Sequence, residues 1–402
     1  MKMKLSILAS AIFLMGLLAI GQACAQTETP AVKKVATVLS DTEIQKVIKD
    51  SISWFSAAQT ASGRFNYEYA PFWDRYTEDD NMVRQTGVLY ILGEILNRDK
   101  SDKYSRSIKH LMTDSISYFQ DNTAKGEYNG KKFQCLTKDD KKCTMGGTSL
   151  ALVGMINLVQ KYPELEKDYL PLMTDYASYI VAMRNEGKGF KENYYLIGEQ
   201  SDTETTFSNG EAFLALVRYD QYKPSDAIKT LINDSYNYFS DIYGKNHDNN
   251  FYLWGMAAIK DLNAKNPDKK YFDFVKKYTD ERMKPYKNRR QNDSNVGAYI
   301  EGITSAYSIM EKSLTEAEKK VYIGEINYWL MKTKDLQIQS DTKLRTKYGT
   351  SEDTYYLRVK NNKKAVGGFL ASASEPYQRI DFTQHAVSAY LQKLVDIDGG
   401  AL

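Results

Sequence analysis

The residues of this chain best suited to chemistry are acids set at the starts of otherwise apolar stretches. Glu211 lies in Phe207-Ser208-Asn209-Gly210-Glu211-Ala212-Phe213-Leu214, and Glu301 lies in Gly297-Ala298-Tyr299-Ile300-Glu301-Gly302-Ile303. Each carboxylate stands beside a glycine on a segment of small apolar residues, where burying a charge is costly without a compensating reason. Partial burial raises a carboxyl pKa, as a general acid requires; pairing with a helix N-terminus or a nearby loop is the plain structural alternative. Asp80 closes the cluster Glu78-Asp79-Asp80 ahead of an apolar helix and is a third candidate. Its simplest structural role is capping, with Arg84 four residues on as an ion-pair partner. The densest polar set is Arg379, Asp381, Gln384 and His385. Asp381 and His385 are four residues apart and share a helix face, so the acid can orient the imidazole as a base. A structural cluster tying the last helix to the first is the alternative. Two carboxylates across a glycosidic bond suit hydrolysis, one protonating the leaving oxygen while the other activates water or attacks the sugar. A histidine base suits proton abstraction beside a uronate carboxylate.

Around these acids the sequence offers binding groups. Gly63 to Tyr76 is too aromatic for an ordinary surface loop, and it supplies Tyr67, Tyr69 and Trp73. Tyr194, Tyr195, Trp254 and Tyr299 fall in or beside other loops expected at the same place. Flat rings stack on sugar faces while their polar tips bond hydroxyls. Arg84 and Gln85 open the helix after Asp80, and Arg75, Arg84, Arg184 and Arg379 point to acidic groups on the ligand. Core packing is the competing role for several rings. For His247-Asp248 a loop pair, and for Trp254 a core indole, is the stronger reading.

Such groups need rigid elements to bring them together. Helical spacing of apolar residues marks segments from Asp41, from the acid cluster at Glu78 to Leu92, and over Tyr104–Phe119. Further segments are Met145–Met155, Tyr169–Met183, Phe207–Leu216, Ala227–Ile242, His247–Ala258, Tyr271–Arg282, Gly297–Ala306, Glu316–Trp329 and Gln378–Leu391. The result is about twelve helices in six pairs, one member small and apolar, the other amphipathic. An all-round apolar helix belongs inside, so the first kind should form an inner ring whose polar starts converge on one mouth.

The 402-residue chain carries a formal charge of +3, which argues against broad nucleic-acid binding. Lys2 and Lys4, the apolar run Leu5–Ile20 and Ala23-Cys24-Ala25 describe a secretory signal peptide cut after Ala25. A periplasmic or secreted location is therefore expected, with a polar leader over residues 26–39. Lipidation of Cys24 is disfavoured by Gly21 three residues earlier. No other run resembles a membrane span. Cys135 and Cys143 flank a polar turn-like segment and should form a disulfide in an oxidising compartment. Nucleotide-binding glycine patterns and a zinc-protease motif are absent, so neither cofactor nor metal is expected. Prolines number 8 and no glycine-rich linker interrupts the chain, favouring one large helical domain over residues 40–398.

Gly146-Gly147-Thr148, Gly210-Glu211-Ala212, Glu301-Gly302 and Gly367-Gly368-Phe369 recur at inner-helix starts. This alternation resembles the (α/α)6 toroids of six-hairpin glycosidases, polysaccharide lyases and uronyl epimerases. The resemblance covers nearly all the mature chain at the level of architecture, and no single family's catalytic motif is matched residue by residue. It implies an all-α glycan-processing enzyme with its cleft at the mouth of the inner ring and an oligo- or polysaccharide as partner. The expectation is a glycoside hydrolase drawing paired carboxylates from Asp80, Glu211, Glu301 and Asp381. A lyase or epimerase with His385 or a tyrosine as base comes next, then a glycan-binding protein without turnover.

Overall fold

The computed structural model describes residues 38–139, 141–286, 295–347, 354–372 and 374–402. The expected signal peptide and almost all of the expected leader lie outside the described residues. Twelve long helices occur among those described: α1 Asp41–Ala58, α2 Met82–Arg98, α3 Ser105–Asp121, α4 Met145–Lys161, α5 Glu166–Ala182, α6 Thr206–Tyr222, α7 Asp226–Tyr243, α8 Asn249–Lys265, α9 Lys269–Tyr286, α10 Val296–Met310, α11 Glu316–Lys334 and α12 Ile380–Leu391.

Their starts follow local chemistry. The Ser40 hydroxyl caps α1 and Glu43 reaches back to the Ser40 amide, a reciprocal pair that starts the helix at Asp41. Asn81 caps α2, which leaves the whole acid cluster outside the helix. Asp248 caps α8, placing His247 before it.

Even-numbered helices form a closed inner ring, each packing on the next and α12 returning to α2. Their surfaces explain the position: α4 is buried continuously from Met145 to Val159. Small residues bring the backbones close. A Cβ at Gly154 would lie 2.6 Å from Leu89 Cγ, and one at Gly297 would lie 2.7 Å from the Ala386 nitrogen. Odd-numbered helices lie outside. In α7 the buried positions Ile232, Ser235, Tyr236, Phe239 and Tyr243 repeat at helical spacing and leave the other face to solvent.

The far end of the ring, at the inner helices' C-termini, is filled by ions. Arg98 bonds Glu94 Oε2 at 2.6 Å and both oxygens of Asp396 at 3.0 Å. Arg218 reaches Glu94 Oε1 at 3.2 Å and also pairs with Asp261. Asn157 donates to Glu94 Oε1 at 2.9 Å, and Lys260 to Asp396 at 3.1 Å. Burial pushes the Glu94 pKa up, but the charges of Arg218 and Arg98 outweigh it and hold the carboxylate well below its usual range.

Short strands in the connections decorate the helices. Glu68–Ala70 pairs antiparallel with Arg75–Tyr76 on one side and Gln378–Arg379 on the other. This puts Glu68 opposite Arg379 and anchors the aromatic loop to the start of α12. Thr123–Tyr128 pairs with Lys131–Leu136, Lys142–Thr144 with Asn193–Tyr195, and Lys343–Lys347 with Thr354–Arg358. Cys135 and Cys143 form a disulfide with Cα atoms 5.7 Å apart, joining the second and third of these ladders just before α4. Residues Ala36–Leu402 cluster as one unit by contact. No helix among the described residues is long and apolar enough to cross a membrane.

Candidate active site

The N-termini of the inner helices open on a cavity of about 390 Å³. Every inner helix reaches it: α2 through Asn81 and Arg84, α4 through Gly146, α6 through Ser208 and Glu211, α8 through Trp254, α10 through its cap Asn295, and α12 through Asp381, Gln384 and His385. A second lobe of about 370 Å³ shares Arg84, Phe207, Asn295, Asp381 and His385 with the first, and adds Arg282, Tyr299 and Arg379.

Glu211 sits in the first lobe, 4 % exposed, and its carboxyl has no hydrogen bond or ion pair among the described residues. Burial pushes its pKa up to about 8, against a weaker opposing pull from Arg84. The acid is therefore held as the neutral, proton-carrying form at pH 7. Gly146 makes its room: a Cβ there would lie 2.1 Å from Glu211 Oε2.

Glu301 is fully buried and does not line the cavity. It bonds His385 Nδ1 at 2.8 Å and accepts from the Ser388 hydroxyl at 2.6 Å. The imidazole thus belongs to Glu301, whereas the expected orienting acid was Asp381. The i, i+4 spacing placed Asp381 on the right face, but two guanidiniums claim its oxygens first. Arg84 Nε lies 2.9 Å from Oδ2, and Arg379 contributes Nε at 2.6 Å and Nη2 at 2.9 Å. Burial raises the Asp381 pKa, yet Arg379 and then Arg84 outweigh it and the net shift is downward. With Nδ1 occupied, Nε2 is the His385 nitrogen left for the cavity, beside the Trp254 ring at 5.8 Å.

Asp80 lies one residue before the α2 cap, at the same end of the ring, yet does not line either lobe. Its Oδ1 accepts from Gln85 Nε2 at 2.7 Å and the Asn81 amide at 2.9 Å, and Arg64 lies 3.6 Å from Oδ2. The Asp80–Arg84 pair that the spacing suggested does not form, because Arg84 turns to Asp381. Gln85 is a strut: its side chain bonds the Phe65 carbonyl and amide at 2.8 and 2.9 Å, as well as Asp80.

The rings divide similarly. Trp254 is buried in the first lobe wall and packs edge-on against Tyr90 at 5.3 Å. Tyr299 lines the second lobe while its hydroxyl reaches Glu325 at 3.3 Å. Tyr67 stands outside both lobes, half-buried, with the Arg379 guanidinium 5.6 Å from its ring. Tyr69 is packed into a satellite apolar cluster with Phe72, its hydroxyl donating to Asp74 at 2.8 Å. Trp73 is exposed and stacks on Tyr377 at 6.3 Å. Tyr194 packs on Phe133, Arg184 on Phe190 and His247 on Tyr278, all away from the cavity.

Glu192 was missed in the sequence. It lines the first lobe half-buried, with no side-chain hydrogen bond or ion pair among the described residues. It lies on a connection beside the strand Asn193–Tyr195, and nothing in the helical pattern marks it. Three lining polar atoms are also buried without a partner: Thr144 Oγ1, Gln384 Nε2 and Asn295 Oδ1. Unsatisfied buried polar groups are uncommon, and these three belong to residues that line the cavity.

Six inner and six outer helices in alternating order, with the cavity at the inner N-termini, define an (α/α)6 toroid. No known family and no curated protein matches the chain by sequence. Solved structures do match by shape. The cellobiose 2-epimerase of Spirochaeta thermophila aligns over 89% of this chain and 96% of its own at 9% identity, with a TM-score of 0.62. The family 76 alpha-mannanase of Bacteroides thetaiotaomicron aligns over 87% and 94% at 10% identity, TM-score 0.60. An alpha-1,6-mannanase of Salegentibacter sp., solved with alpha-1,6-mannotetrose as an inactive variant with two aspartates replaced, aligns over 88% and 99% at 11% identity, TM-score 0.58. The fold is thus that of the six-hairpin glycosidase-like toroids, whose members among these neighbours are enzymes.

Proposed function

We propose that this chain is an exported glycan-processing enzyme, a glycoside hydrolase whose proton donor is Glu211. The observation that carries the reading is the buried, unpartnered Glu211 carboxyl, held protonated and facing a polar-lined cavity of the size that takes a sugar. Hydrolysis needs a second group to activate water or attack the sugar. Of the carboxylates at the mouth, Asp381 is committed to two arginines and Glu301 to His385 and Ser388, so Glu192 is the uncommitted partner for Glu211. The structural neighbours include hydrolases and sugar epimerases, which supports carbohydrate chemistry without selecting the reaction. The disulfide supports export to an oxidising compartment.

The Glu301–His385 bond favours a second reading. An imidazole held through Nδ1 presents Nε2 as a base, which suits elimination or epimerisation beside a uronate carboxylate. Assays of the purified chain on neutral and acidic glycans separate the two. Under the hydrolase reading Glu211→Gln and Glu192→Gln each lower kcat by about 10²–10⁴-fold, and the products are saturated sugars. Loss confined to His385→Gln, with an unsaturated product absorbing in the ultraviolet, selects the lyase. Glycan binding that persists in Glu211→Gln, with no turnover by the unaltered chain, returns it to a binding protein.

A further inference from the structure

The second lobe is lined by three guanidinium groups. Arg84 and Arg379 both spend donors on the single carboxylate of Asp381, Glu68 acts on Arg379 from the adjoining strand, and neither guanidinium spends all its donors on these acids. Among the described residues no hydrogen bond engages Arg84 Nη1 or Nη2, or Arg379 Nη1. The Arg84 side chain is 35% exposed, and it lines both lobes. Arg379 is fixed by its stack on Phe382, 4.0 Å from the ring, so its planar fork is already oriented. Arg282 stands in the same wall with its guanidinium 5.9 Å from the Tyr252 ring. Asp381 is the one acidic side chain among the lobe's lining residues. The N-termini of α8 and α10 also open here through Asn249, Asn250 and Ala298, adding positive partial charge. Burial pushes the Glu211 pKa up in the first lobe, so that carboxyl offsets little of the guanidinium charge at pH 7.

We infer that the second lobe is a subsite for a sugar ring bearing a carboxylate, a uronic acid residue, whose charge is taken by the free donors of Arg84 and Arg379. A planar carboxylate matches guanidinium geometry, which is already used here toward Asp381. The lobe shares His385 and Asp381 with the first, so the uronate ring sits next to the ring acted on at Glu211. This placement rests on the glycan-processing reading, but the subsite itself is a binding property.

Binding can therefore be measured apart from turnover, by calorimetry on the Glu211→Gln chain with glucuronate, glucose and glucose 6-sulfate as probes. Glucuronate should bind at least about 10-fold more tightly than glucose, with a preference that shrinks as salt is raised from 50 to 500 mM on the order expected for exposed charges. Arg84→Gln and Arg379→Gln should each bring the two sugars within about twofold, and Arg84→Lys should retain part of the preference, keeping charge without the fork. Equal binding of glucose and glucuronate, or a preference that survives both arginine substitutions, overturns the subsite. Tighter binding of glucose 6-sulfate than glucuronate overturns the carboxylate assignment. Turnover of neutral glycans without glucuronate preference leaves the hydrolase standing and removes the subsite. Glucuronate preference with no glycan turned over by the unaltered chain does the reverse.

Discussion

At the scale of single residues, Glu211 combines two properties that pull against each other. An acid kept neutral by burial can donate a proton at pH 7, and the same burial makes its ionisation oppose folding. The sign follows from the two states. Below pH 4.5 the carboxyl is protonated whether the chain is folded or not, so it contributes nothing to pH dependence. Between pH 4.5 and about 8 the unfolded chain releases this proton and the folded chain keeps it, so stability falls as pH rises through that window. Glu211→Gln should therefore unfold at higher denaturant concentration than the unaltered chain at pH 7, by at most about 3 kcal/mol, and match it near pH 4. Its activity should meanwhile be lost, and the unaltered enzyme should lose activity on the basic side as pH passes about 8. Gly146→Ala tests the same carboxyl from its neighbour. The added Cβ meets the flexible end of Glu211, so the carboxyl moves while the backbone does not; kcat should drop at least about tenfold with Tm almost unchanged. Glu211 was legible in the sequence because an acid on a small apolar helix has few structural excuses. Asp381 was legible as part of a polar set but not in its partners, since Arg84 comes from a helix 297 positions earlier. Glu192 was not legible at all, because connections carry no periodicity against which an odd residue stands out.

At the scale of elements, the inner helices could be told from the outer ones by composition, and small residues mark where two backbones touch. Gly297→Ala pushes a Cβ against the α12 backbone, which has no side chain to swing aside, and should destabilise by about 1–3 kcal/mol in chemical unfolding. Gly324→Ala on the exposed face of α11 meets nothing and should stabilise by about 0.5–1 kcal/mol through helix propensity. The disulfide closes a loop of sequence separation 8 just ahead of α4, so Cys135→Ser with Cys143→Ser should cost about 2–3 kcal/mol by loop entropy. The short strands escaped notice for a physical reason. Two or three residues are too few to show alternation, and Glu68–Ala70 pairs with Arg379 across some 310 positions. What this three-stranded clasp does is hold the start of α12, and with it Arg379 and Asp381, against the start of α2.

At the scale of the whole molecule, the ring closes between its first inner helix and its last. Truncation before Ile380 removes α12, the partner of both α2 and α10, and should abolish cooperative unfolding rather than merely lower its midpoint. The closure was readable as a count of six helix pairs, whereas the ionic core at the far end was not, since Glu94, Arg98, Arg218 and Asp396 look like ordinary surface charges when read in order. That core has a consequence for traffic. Among the described residues Glu94, Arg98, Arg218, Lys260 and Asp396 are knitted across the C-terminal ends of the inner helices and plug the ring axis at that end. A polymer cannot be threaded along the ring axis past such a plug. A ligand that enters along the axis therefore leaves by the end at which it came in, and a longer one has to lie across the mouth, over the two adjoining lobes.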